Sequence, residues 1–295
     1  MSSSDSIAIN RAYLDSMVLE GRIIGAVHPD AGWTLFGKSF QTPVMTAALS
    51  HLSKVHPGGV PELARGAALA GAAAQIGMGG IDELKEAAAG NCGVIKVIKP
   101  YKDEKEIFSR IEAAEEAGAL AIGMDLEHAV NTDDDLDSVV AGYPMELKSV
   151  SQIAAYVKAS KLPFFVKGAL SVSDALRARD LGVAGLILSH HNGLLRWAVP
   201  PVQVLPEIRK AVGSDLVLII DGGIADGADA YKALALGADA VSVGKPLMGP
   251  LGESGAEGVA AAINRMTAEL KGYMARTGVK DLKHMDPSVI HFRKA

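Results

Sequence analysis

Leu216-Val217-Leu218-Ile219-Ile220-Asp221-Gly222-Gly223-Ile224 and, one helix length further on, Ala240-Val241-Ser242-Val243-Gly244-Lys245 decide the fold. Each is a short apolar run, rich in β-branched residues, that stops abruptly at polar residues and glycine. Such runs suit strands buried on both faces, as in a parallel sheet covered by helices. Bare backbone at Gly222, Gly223 and Gly244 lets N–H groups approach phosphate oxygens, and a following helix N-terminus adds a favourable dipole. Loops after the last two strands are where (β/α)8 barrels usually hold phosphate. Turn glycines with no ligand are the plainer reading. Both strand ends carry the signal together, which argues against it.

The same unit recurs upstream. Strands are expected at 42–47, 74–78, 93–98, 120–125, 163–167 and 185–189. The helices between them are expected at 61–73, from 81, and at 104–117, 148–159, 173–181 and 202–212. Two more, at 228–236 and near 257–276, follow the last two strands, and a polar insertion at 131–143 lengthens the fourth unit. Eight unbroken β/α units predict an α/β chain folded as a single (β/α)8 TIM barrel over residues 42–295. Residues 1–41 read as a short capping segment, with a helix over 11–20 and a hairpin over 32–40. A doubly wound open sheet is the alternative, disfavoured by eight repeats and by the phosphate-type endings of the last two.

Composition narrows the function. A chain of 295 residues can bury one large core without staples. A net charge of −5 and an aromatic content of 5% speak against a nucleic-acid surface, which needs a basic face or stacking platforms. Cys92 is the single cysteine, so an internal disulfide and a thiolate zinc cluster are both excluded. It reads as a small buried residue. No apolar run approaches the ~20 residues of a membrane span, and Met1 to Ser6 does not resemble a signal peptide. A cytoplasmic protein acting on a small molecule is expected.

Active sites of such barrels lie beyond the C-terminal strand ends. Those positions hold Ala47 and Ala48, Lys99, Asp125 and Glu127, Lys167, Ser189-His190-His191, Asp221-Gly222-Gly223 and Gly244-Lys245. His191 is the natural general base. Two adjacent histidines cannot both face one site from an extended chain, so one of His190 and His191 is expected to be structural. Lys167 ends an apolar strand. It can be a fixed cation beside a ring, an imine-forming amine, or a lysine paired with Asp221. Lys99 can offer charge to an acidic substrate or lie solvated in its loop. Metal binding would need further ligands, for which Asp125, Glu127 and His128 are available. No His-x-x-x-His spacing supports it, and no metal is expected.

Four stretches together resemble the FMN-dependent α-hydroxy-acid oxidase and dehydrogenase family, the glycolate and lactate oxidase group, in a short divergent bacterial form. They are Phe164-Phe165-Val166-Lys167-Gly168, Ser189-His190-His191-Asn192-Gly193, Asp221-Gly222-Gly223-Ile224, and Lys232 to Ala238 leading to Gly244-Lys245-Pro246. The resemblance spans roughly residues 42–280 and implies FMN as cofactor. It implies that Lys167 contacts the flavin, that Ser189 and Asp125 face its ring, and that Ala47 and Ala48 line it. It places the phosphate at Asp221-Gly222-Gly223 and Gly244-Lys245. His191 would take the substrate's hydroxyl proton as hydride passes to flavin N5, with Glu127 as its supporting carboxylate. A homo-oligomer, a tetramer in the family, is implied as well.

The departures concern the substrate. Leu194 stands where the family has its carboxylate-clamping arginine, and leucine cannot make that bidentate contact. Arg196, two residues on, and Lys99 are the candidate replacements. Asn192 replaces a glycine, Ala225 a phosphate-binding arginine, and Lys245 an arginine that a point charge can still stand in for. The resemblance therefore implies oxidation of a 2-hydroxy acid or a related activated alcohol. Three other readings stay open. They are an FMN-dependent isomerase without net redox, a phosphate-sugar isomerase or Schiff-base aldolase using Lys167, and a non-catalytic binding barrel.

Overall fold

The computed structural model describes residues 3–130, 143–191 and 193–293. Most of the expected polar insertion, 131–142, and Asn192 lie outside the described residues. The chain opens with helix α1 (Ser3–Ser16), strand β1 (Met17–Leu19) and the hairpin of β2 (Trp33–Leu35) and β3 (Lys38–Phe40). Then come β4 (Val44–Leu49), α2 (Gly59–Leu69), β5 (Ala74–Ile76), α3 (Ile81–Ala89), β6 (Val94–Ile98), α4 (Glu104–Glu116), β7 (Ala121–Asp125) and α5 (Val150–Ala159). The second half runs β8 (Phe164–Lys167), α6 (Val172–Asp180), β9 (Gly185–Leu188), α7 (Pro201–Val212), β10 (Val217–Asp221), α8 (Gly227–Ala235), β11 (Ala240–Val243), α9 (Lys245–Arg276) and β12 (Ile290–Phe292). Strands β4 to β11 close into one eight-stranded parallel barrel, with β11 pairing back onto β4. The expected (β/α)8 architecture is therefore the observed one.

Side chains alternate across each strand, which makes two concentric cores. Ile95 and Val97 join Met45, Phe165, Ile187 and Ile219 in the inner cluster. Val94 and Ile98 of the same strand join the outer cluster against the helices. Leu35 and Phe40 of the hairpin belong to the inner cluster, and Phe36 meets Phe165 edge-on at 5.8 Å. The hairpin thus plugs one barrel end, beside the start of β6 at Gly93. The other end is left for chemistry.

The N-terminal helix covers that other end. The helix expected over 11–20 is instead Ser3–Ser16, and β1 follows it to pair with β12 in antiparallel register. Three residues that pair across the whole chain length leave no local period, which is why the strand is invisible in sequence. The last helix also starts earlier than expected, at Lys245. It is two helices abutting at Ser254 (φ −143°) and Gly255 (φ 55°). The first of them begins right after the eighth barrel strand, so its N-terminus, at Gly244 and Lys245, lies at the barrel mouth.

Helix α1 is fixed by polar contacts. Ser6 Oγ donates to the Leu195 carbonyl at 2.7 Å and accepts from the Ala198 N–H at 2.9 Å. Arg11 grips Asp229 with two hydrogen bonds of 2.7 and 2.9 Å, and Asp229 is 1% exposed. Arg11→Ala would leave that carboxylate buried and short of its cation. The expected loss is about 1–3 kcal/mol of stability, less than for a wholly buried pair because Arg11 reaches solvent. Urea denaturation of the two proteins checks this, and an unchanged midpoint would refute it.

Candidate active site

Asp125 closes β7 and pairs in register with Lys167, which closes β8, so both side chains enter the same mouth. Asp125 is 1% exposed. Its Oδ2 receives Lys99 Nζ at 3.1 Å, Lys167 Nζ at 3.2 Å and His191 Nδ1 at 3.0 Å. Burial alone would raise the pKa of this carboxyl. The charge of Lys167, the His191 bond and Lys99 outweigh it and hold the group well below the usual carboxylate range. Lys167 shows the opposite balance: burial disfavours its charge, yet Asp125, Asp221 and Glu127 raise it above an ordinary lysine.

The remaining contacts assign the hydrogens. Lys167 Nζ also lies 3.2 Å from Ser189 Oγ and 3.5 Å from Asp221 Oδ2. An ammonium has three hydrogens, and three oxygens surround this one. His191 Nδ1 is 3.0 Å from both Lys167 Nζ and Asp125 Oδ2. Three oxygens lie within reach of the lysine's hydrogens, whereas the ionised carboxylate, an acceptor only, can meet Nδ1 in a hydrogen bond only if Nδ1 carries the hydrogen. Nδ1 therefore carries the hydrogen and donates it to Asp125, which leaves the lone pair on Nε2.

His191 reaches this place through an unusual backbone. Its φ is 42°, a left-handed conformation that costs energy for a non-glycine residue. The Ser189 hydroxyl steadies the turn by accepting the His191 N–H at 2.9 Å while donating to Asp221 at 3.0 Å. The turn also corrects one expectation. His190 and His191 both line the cavity, because the chain is no longer extended at His191. His190 is buried, and burial lowers its pKa.

Two other expectations change. The carboxylate on His191 is Asp125, where the resemblance implied Glu127. Glu127 lies on the short 3-10 turn Leu126–Ala129, where it packs against Gly168. Burial pushes its pKa up to about 8, with Lys167 opposing and Asp125 and Asp221 adding to the rise. Arg196 does not turn toward the site. It is held by Asp5 at 2.7 Å, its guanidinium lies 5.3 Å from the Trp197 ring centre, and it does not line the cavity. Lys99, by contrast, is buried at 8% exposure and is part of the cluster.

A cavity of about 370 Å³ opens beside the cluster, within the range of cofactor sites. Ala47, Ala48, Leu49 and Ile224 give it apolar walls; Lys167, Ser242, Asp221, Gly222, Gly223, Gly244 and Lys245 give it polar ones. Gly222 and Gly223 have φ of 110° and 81°, and a Cβ on Gly223 would clash with Asn10 Nδ2. Side chains are thus excluded where a phosphate would meet backbone. Asn10 Oδ1 and both ring nitrogens of His190 are buried without a partner among the described residues, while Asn10 Nδ2 donates to the Gly222 carbonyl at 3.1 Å. An apolar slot, a glycine cradle at a helix N-terminus and unspent polar atoms fit flavin mononucleotide. Asn10 and Ile7, which also line the cavity, were not legible beforehand, because only the folded path of α1 brings them there. A metal fits less well. Asp125, His128 and His191 offer ligand atoms within 4.8 Å of one another, but Asp125 Oδ2 already serves two ammonium groups whose charge opposes a cation.

Comparison with known proteins agrees. The family model described as FMN-dependent dehydrogenase matches residues 1–151 and 131–292. Glycolate oxidase of Spinacia oleracea is 28% identical over 97% of this chain and 87% of its own length. The 4-hydroxymandelate oxidase of Amycolatopsis orientalis is 30% identical over 84% of this chain and 79% of its own. The crystal structure of a mandelate oxidase superposes with a TM-score of 0.88 at 27% identity, covering 98% of this chain and 90% of that one. The chain belongs to the FMN-dependent dehydrogenase family and is an FMN-dependent oxidoreductase.

Proposed function

We propose that the protein oxidises a small 2-hydroxy acid, or a similarly activated alcohol, to the carbonyl compound. The observation that carries this is the His191–Asp125 pair, which fixes Nδ1–H toward the carboxylate and leaves Nε2 as a base. FMN, when bound, supplies the acceptor for two electrons. Gly222, Gly223, Gly244 and Lys245 would hold its phosphate, Lys167, Ser189 and Asp221 its polar edge, and Ala47 and Ala48 its ring.

His191 Nε2 takes the proton of the substrate hydroxyl, and Asp125 stabilises the imidazolium that results. Lys167 keeps a fixed positive charge at the site throughout. That charge weighs against an imine role, because a held ammonium is no nucleophile. Ile7 and Asn10 of α1 close one side of the cavity and limit water there. Lys99, bound to the same Asp125 oxygen, brings a second cation toward a substrate carboxylate. The acidic net charge of −5 suits a small-molecule enzyme without a nucleic-acid partner. A cytoplasmic homo-oligomer completes the reading, and among the described residues no helix is long and apolar enough to cross a membrane.

Anaerobic flavin bleaching tests the assignment of the base. Glycolate, L-lactate and L-mandelate are the first acids to try. His191→Asn should slow bleaching by the best of them on the order of 10²–10⁴-fold while FMN stays bound. Bleaching at the wild-type rate would remove His191 from its role. A second test concerns Glu127, whose pKa of about 8 lies above the unfolded carboxyl value of about 4.3. The folded state keeps a proton that the unfolded chain releases, so stability falls as pH rises from the unfolded value through the folded one. Glu127→Gln should flatten that decline in a melting-temperature series. An identical slope in both proteins would show that Glu127 titrates normally.

A further inference from the structure

His128 stands where the mechanism above has no task for it. It lies on the one-turn helix Leu126–Ala129 directly after β7 and is 7% exposed. Its Nε2 is 2.7 Å from His191 Nε2, with the rings edge to face, their centres 4.0 Å apart and their planes at 86°. Two imidazole nitrogens that close share one hydrogen between them. His191 spends its own hydrogen on Asp125 through Nδ1. The shared hydrogen is therefore that of His128, which aims an N–H donor at the lone pair of the base.

A substrate hydroxyl needs two partners at that point. Its hydrogen must meet the lone pair of His191, and its oxygen needs a donor as the proton leaves. The cations near the base are held by carboxylates, and Lys99 is assigned above to the substrate carboxylate rather than to its hydroxyl. Lys99 and Lys167 both lie on Asp125 Oδ2, and Arg196 lies on Asp5. Leu194 has no side-chain donor at all.

We propose that His128 is a further catalytic residue, the donor that binds the reacting oxygen of the 2-hydroxy acid. Substrate entry exchanges the direct contact between the two histidines for a hydroxyl lodged between them. The hydroxyl donates to His191 Nε2 and accepts from His128 Nε2–H. The O–H bond breaks toward His191, the C–H bond breaks with its hydrogen leaving together with the bonding electron pair for the FMN that the site would hold, and the oxygen becomes a carbonyl. His128 keeps its proton and is neither oxidised nor reduced. The same donor holds the oxygen of the product, a 2-keto acid. This inference rests on the 2-hydroxy-acid reading above.

The experiment compares FMN-loaded wild type, His128→Leu and His128→Asn, with equal flavin content by visible absorbance as the check on folding. Flavin bleaching is followed with glycolate, L-lactate and L-mandelate, and pyruvate binding is measured by calorimetry. His128→Leu should lower kcat on the order of 10²-fold with KM little changed, as expected for a lost oxyanion donor, and His128→Asn should recover part of the loss. Pyruvate should bind about tenfold more weakly to His128→Leu, as for one lost hydrogen bond. A kcat for His128→Leu within about threefold of wild type would overturn the proposal, and so would an equal loss in both variants. If none of the three acids bleaches wild type, the 2-hydroxy-acid reading fails by itself. His128 is then judged by pyruvate alone, where equal affinity for wild type and His128→Leu, or no binding to wild type, overturns the proposal.

Discussion

One carboxylate oxygen organises this barrel mouth. Asp125 Oδ2 draws in two lysines and one histidine from three different strand ends. Each contact is affordable only because of the others. A buried carboxylate alone would take up a proton, and two buried ammonium groups alone would repel each other. Together they leave Asp125 ionised, Lys167 charged and His191 in a single tautomer. The barrel supplies the rigidity, since Asp125 and Lys167 are neighbours in strand register and cannot drift apart without breaking the sheet.

From that oxygen the rest of the site follows outward. Lys167 reaches on to Ser189 and Asp221, and Ser189 in turn holds the strained turn at His191. Asp221 leads into Gly222 and Gly223, both at positive φ, and Asn10 comes close enough to Gly223 to leave no room for a side chain there. Helix α1 then walls the cavity and is itself moored to the loop after His191 through Ser6 and Asp5. The segment before the barrel is part of the candidate site, because it walls the cavity and touches the loop that follows His191.

Much of this was legible in the sequence, for stated reasons. Strands buried on both faces announce themselves as short apolar runs, and their polar endings mark the mouth of the barrel. Lys167, Ser189, His191 and the glycines were found that way. What escaped was everything set by a change of direction or a long-range contact. Glu127 and Asp125 are two residues apart, and spacing alone could not say which would turn toward His191. Arg196 looked free to fold back until α1 supplied Asp5. His190 and His191 looked mutually exclusive until a positive φ put both at the cavity. Strand β1 and the reach of Asn10 depend on partners more than 200 residues away, which no local pattern records.

The tautomer of His191 tests the central claim most directly. Nitrogen NMR of the histidine rings, with His191 assigned through His191→Asn, reads it without any substrate. The expected result is a protonated Nδ1 and an unprotonated Nε2 in the wild type, with that preference lost in Asp125→Asn. A hydrogen on Nε2 with Nδ1 bare would mean that Lys167 donates to the ring, and the account of Asp125 as the organiser of the base would be wrong.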